Sequence, residues 1–121
     1  MPTKEQHLEQ AVRNEKLAET LARTVYREWT VTVLFYASVH YIEAFLAIRL
    51  IHCDDHPERN ARIAEIPELK TIRKEYDALR TISRQARYQA LRISSDDVSK
   101  AQQNLDTIRS HINYLLTGKK A

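Results

Sequence analysis

The residues able to do chemistry crowd into "IHCDDHPERN", residues 51–60, which holds two histidines, a cysteine, two aspartates and an arginine. His52, Cys53, Asp54, Asp55 and His56 are types that bind transition metals. His52 and His56, four apart, would chelate mainly on a helix, and Pro57 with two aspartates predicts a loop instead. No second ligand cluster is visible, and the Glu-x-x-His pair of di-iron bundles is absent. The expectation is therefore no metal and no cofactor. A histidine beside arginines suits metal-free RNA cleavage: His56 would take the 2′-hydroxyl proton, while Arg59 and Arg49 would stabilise charge on phosphorus. The plainer alternative is a helix-start histidine and two surface arginines.

Two further constellations stand beside this one. Tyr36, His40 and Glu43, at i, i+4 and i+7, share one helical face. They could form a base with its orienting carboxylate, a pocket for a small polar ligand, or a hydrogen-bonded core network. In "SRQARYQALR", Arg84 and Arg87 are spaced to clamp a phosphate, Tyr88 can stack on a base, and Arg80 lies on the same stripe. The same arginines could equally lay their stems over apolar neighbours.

Five helices are expected to position these groups. The first runs from about 3 to 26, with Thr3 and Gln6 as a capping box and a stripe of Leu8, Ala11, Val12, Ala18, Ala22 and Val25 that only Glu15 interrupts. The second, about 28 to 51, is apolar nearly all round, as a central helix is. A short helix follows from about Pro57 to Glu65. Pro67 opens the next, expected to reach Leu91, with Leu69, Ile72, Tyr76, Leu79, Ser83 and Ala86 on its buried face. Arg73, Arg80, Arg84 and Arg87 form a second stripe about 100° round it. "SSDD" at 94–97 starts the last helix, whose seam is Val98, Ala101, Leu105, Ile108, Ile112 and Leu115 and whose end is Gly118. The fold class is all-α: an up-and-down four-helix bundle with one short extra helix between the second and third long ones, a single domain over 1–121 with 117–121 as a frayed tail.

Totals agree with that reading. One Gly and three Pro among 121 residues leave almost no turn chemistry for sheets. The lone Cys53 excludes an intrachain disulfide and suits a reducing cytoplasm. "MPTKEQHLEQ" lacks the apolar core of a signal peptide, and His40, Glu43 and Arg49 break the longest apolar stretch, so no membrane is expected. The net charge of +3 is uneven: residues 59–92 carry 9 basic and 4 acidic side chains, residues 1–58 carry 6 and 9. A basic middle third favours a phosphate-bearing partner or is simply a solvated face.

In order, "EWTVTVLFYASVHYIEAFLA", "DDHPERN", "YDALRTISRQARY" and "SSDDVSKAQQNLDTI" resemble the HEPN superfamily, the higher-eukaryote and prokaryote nucleotide-binding domain, over about residues 8 to 115. The resemblance implies a helical bundle, a homodimer, and RNA or a nucleotide as ligand. Many HEPN proteins are metal-independent ribonucleases of toxin–antitoxin or defence systems, with an Arg-x4-6-His signature. Arg49-x6-His56 meets that spacing, although it falls at the end of the second helix and is followed by Leu50. Other branches are non-catalytic modules, so an adaptor with a cognate protein partner is the alternative.

Overall fold

The computed structural model describes residues 1–119 and is all-helical among them. Six helices follow in order: α1 (Lys4–Leu21), α2 (Arg27–Ile48), α3 (His56–Glu65), α4 (Pro67–Lys70), α5 (Arg73–Tyr88) and α6 (Ser95–Thr117). The capping box expected at α1 forms, and the helix start expected at Ser94 or Ser95 proves to be a second one. Thr3 Oγ1 accepts from the Gln6 amide and Gln6 Oε1 from the Thr3 amide. Ser94 and Asp97 do the same at α6, where Asp96 adds a second carboxylate at the positive end of the dipole.

α2 is the hub. It packs against α1, α5 and α6, and fourteen of its 22 residues are buried. By length and composition it could cross a bilayer; here the other helices cover it. Phe35, Leu34, Ile42 and Leu46 fill the centre with Leu79, Leu105, Ile108 and Ile112. Glu15, the interruption in the first stripe, accepts from the Tyr41 hydroxyl and pairs with Arg109, so it ties α1 to both α2 and α6. His111 Nε2 donates to the Glu68 carbonyl at 2.6 Å and fixes α6 to α4.

Several helix limits differ from the sequence expectation. α1 stops at Leu21, because Thr24 Oγ1 bonds the Leu21 carbonyl and then receives the Tyr26 amide; Val25 is left exposed. α2 stops at Ile48. The Ile51 amide reaches the Leu46 carbonyl and the Leu50 amide reaches Ala47, a Schellman closure. It places Leu50 at φ 59, where glycine is the usual residue. α3 begins one residue early, at His56, capped by Asp55 Oδ1 on the Glu58 amide at 2.8 Å. The helix expected from Pro67 to Leu91 is two helices. The Ile72 amide bonds back only three residues, to Leu69, and this tightened turn separates α4 from α5 while Leu69, Ile72 and Tyr76 all stay buried. Its far end comes at Tyr88, with Ala90 at φ 50. At the other terminus Thr117 closes α6 and Gly118 caps it at φ 72; of the expected tail 117–121, residues 120 and 121 lie outside the described residues.

Candidate functional site

Asp55 and Pro57 set the start of α3, and that start aims His56 at α5. There Arg80, Arg84 and Arg87, four and three residues apart, line a cleft of about 230 Å³ together with His56, Pro57 and Asn60. Phe35 of α2 is its floor; its ring centroid lies 5.7 Å from that of His56 and 5.6 Å from that of Tyr76. Arg87 is held in place: Nη1 donates to the Tyr36 hydroxyl at 2.8 Å, and Nε and Nη2 to the carbonyl and hydroxyl of Ser83. Unlike Arg49, Arg59, Arg73 and Arg109, these three arginines form no ion pair among the described residues. Arg80 Nε and Asn60 Oδ1 are buried polar atoms without a partner. A cleft with convergent donors and no counter-charge is built for an anion.

Next to it is a groove of about 270 Å³ lined by Trp29, Tyr88, Arg87, Glu28 and Ala86. Arg87 borders both spaces and stacks its guanidinium 4.9 Å from the Tyr88 ring centroid. Trp29 and Tyr88 are more than half exposed. Trp29 has no local pattern to flag it; it reads as one more apolar residue of α2.

Behind His56 lies Arg59, three residues on and on the same face of α3. Its Nη1 donates to His56 Nδ1 at 3.1 Å, and its Nε donates to Glu43 Oε1 at 2.9 Å. Arginine offers no acceptor, so His56 Nδ1 must accept, and the neutral ring carries its proton on Nε2. Burial first, then the charges of Arg59, Arg87 and Arg80, hold the His56 pKa below the ordinary histidine value. In this arrangement a neutral His56 carries an N–H donor on Nε2.

The residues of the Tyr36–His40–Glu43 face part company. Tyr36 is caught by Arg87 of α5, Glu43 by Arg59 of α3, and His40 by His7 of α1, Nδ1 to Nδ1 at 3.1 Å. Glu43 is buried, and its Oε2 has no hydrogen-bond partner. Donor atoms of His7, Glu43 and His52 lie within 4.8 Å of one another, the one group in the described residues with metal-ligand character. His7 is a site residue that nothing in its local sequence signals. Cys53 is buried beside this group; burial, with Glu43 and Glu58 nearby, pushes its thiol up to about 11, so it is no nucleophile. Arg49 stays apart from His56: it pairs with Glu68 of α4 and stacks 4.7 Å from the Phe45 ring centroid.

His7 and His40 are likewise held below the ordinary histidine value, by burial first; Glu43 partly opposes this at His7, and His7 adds to it at His40. The sign follows. In the unfolded chain these rings take up protons as pH falls through about 6.5. In the fold they do so only at lower pH, so stability is full above that value and declines as pH drops below it. Thermal melts of metal-free protein from pH 8 to pH 5 should show a flat upper region and a falling Tm below about 6.5. His40→Ala and His56→Ala should each flatten the fall; a Tm that does not change in that window would refute the assignment.

The chain matches no protein-family model, no curated protein and no solved structure. Function must therefore be argued from the geometry itself.

Proposed function

We propose that this is an RNA- or nucleotide-binding helical domain, HEPN-like in the resemblance of its segments. Its α1, α2, α5 and α6 would form an up-and-down four-helix bundle, and α3–α4 the insertion. The observation that carries the functional reading is the convergence of Arg80, Arg84, Arg87 and the His56 donor on one cleft without a carboxylate partner. Successive phosphates of a strand could each meet one of Arg80, Arg84 and Arg87, and the adjoining Trp29–Tyr88 groove offers ring faces to a base. The tautomer of His56 favours binding over cleavage, since Nε2 already carries a proton.

Fluorescence anisotropy with a labelled single-stranded RNA, in EDTA, tests this. Three phosphate contacts predict a slope of about −2 in log K against log salt, hence a loss of roughly 20-fold between 50 and 200 mM. Arg84→Ala should weaken binding and lower that slope by about 0.7. Binding that ignores salt and survives Arg84→Ala with Arg80→Ala would reject the cleft, and the adaptor alternative would then stand. The same mixtures, run on a gel, should show intact RNA; His56-dependent cleavage would instead establish a ribonuclease.

A further inference from the structure

The pocket-sized cluster on the other side of Arg59 has a different character. Glu43 is 3 % exposed, and a carboxylate so deeply buried needs both oxygens satisfied. Arg59 serves Oε1 only; Oε2 meets no donor. Two imidazoles, one from α1 and one from the α2–α3 connection, bring a ring nitrogen within 4.8 Å of the Glu43 carboxylate.

We propose that His7, Glu43 and His52 form a binding site for one divalent transition-metal ion of borderline hardness, with Zn²⁺ as the reference ion. The set of two imidazoles and one carboxylate is the kind that holds zinc with one position left open. Each ligand also has the outer partner such a role demands. His52 Nε2 is 3.0 Å from Asp54 Oδ1, so an N–H donated there leaves Nδ1 for the metal. His7 Nδ1 lies 3.1 Å from His40 Nδ1; donating that proton to His40 leaves His7 Nε2 as the ligand atom. Glu43 Oε1 is anchored by Arg59 and Oε2 is free. His40 and Asp54 are thus positioning residues.

The spacing needs a small adjustment. Ligand atoms on a tetrahedral ion at about 2.0–2.1 Å sit about 3.4 Å from one another. Starting from the 4.8 Å limit, the atoms must draw in, and His52, on the connection and 35 % exposed, is free to do so. His7 and His40 border an open surface cleft with Gln6 and Arg13, which gives an ion a way in. Arg59 is the opposing charge, and its place on Oε1, away from Oε2, keeps it on the far side of the carboxylate. Sequence spacing hides the site because its ligands stand 36 and 9 residues apart on three elements.

The test uses the full chain, stripped with EDTA and exchanged into chelator-free buffer. Zn²⁺ competed against a chromophoric chelator should bind at one equivalent per chain. In long-range ¹H–¹⁵N spectra the imidazoles of His7 and His52 should shift, and that of His111 should not. Co²⁺ should give visible bands of tetrahedral intensity. Asp54→Asn should weaken binding about 10- to 100-fold, and His52→Ala and His7→Gln by more. The proposal is overturned by absence of binding, by shifts confined to His52 and His56, or by a folded His7→Gln variant that binds as the wild type does. The spectra of the wild-type protein decide the matter even if His7→Gln does not fold.

Discussion

Arg59→Ala is expected to destabilise the fold by about 3–5 kcal/mol, the range for breaking a buried ion pair from one side. Solvent screens this pair little, because the Arg59 and Glu43 side chains are 8 % and 3 % exposed. With Arg59 gone, the buried Glu43 carboxyl has neither oxygen paired, and His56 loses the donor on Nδ1. Against a typical total stability of about 5–15 kcal/mol, that is a large fraction. Urea denaturation would read it as a lower midpoint at unchanged m. A companion, Arg59→Met with Glu43→Leu, should recover most of the loss, since apolar side chains of similar volume replace buried pairs at little cost. A single-variant loss under about 1 kcal/mol would mean that water reaches Glu43, against its burial. Saturating Zn²⁺ should narrow the gap between Arg59→Ala and wild type, because an ion on Oε2 supplies the missing positive charge.

Phe35→Ala should cost a comparable amount, about 3–5 kcal/mol, through lost burial and the cavity left behind. Phe35 is fully buried, and its ring touches those of Tyr36, His56 and Tyr76 at centroid distances of 5.6–5.7 Å. Among the described residues, no other side chain both lines the cleft and belongs to the buried apolar core. Removing it therefore has a second effect that an ordinary core truncation lacks: water enters beneath His56, and its pKa should rise toward the ordinary histidine value. Proton NMR titration measures that shift, and Leu79→Ala, a truncation within the core, is the control that should lower stability without moving His56. A destabilised Phe35→Ala protein with an unmoved His56 would show that the ring is only ballast.

Much of the helical layout was legible. Thr3 with Gln6 and Ser94 with Asp97 announce two helix starts, because short polar side chains satisfy free amides there. The apolar spacing through Tyr76, Leu79 and Ser83, and through Ala101, Leu105 and Ile108, names buried faces that the structure buries. Helix ends were harder. Leu50 and Ala90 adopt left-handed backbone where a chain with one glycine has no glycine to place, so no residue marks the stop. The arginine stripe and His56 do meet, since both are local patterns on helices that pack. The grouping of Tyr36, His40 and Glu43 dissolves, because a shared face of α2 is wide enough for α5, α1 and α3 each to take one residue. Arg49 was drawn away by Glu68, and His7 came in from a helix 33 residues before His40; both are tertiary facts without a local signature.

The burial of α2 has a consequence in time as well as in space. Its last residue, Ile48, is made long before Leu105 and Ile108 of α6 exist to cover it. At about 5–20 residues per second, the intervening 60 or so take roughly 3–12 s on a ribosome. At the start of that interval α1 is the neighbour already made, α5 follows and α6 comes last, and until then the nascent chain displays part of a 22-residue helix apolar enough for a bilayer. The most buried helix of the finished domain is thus the most vulnerable part of the growing one, and the hazard is set by the order of synthesis, not by the depth of the native state.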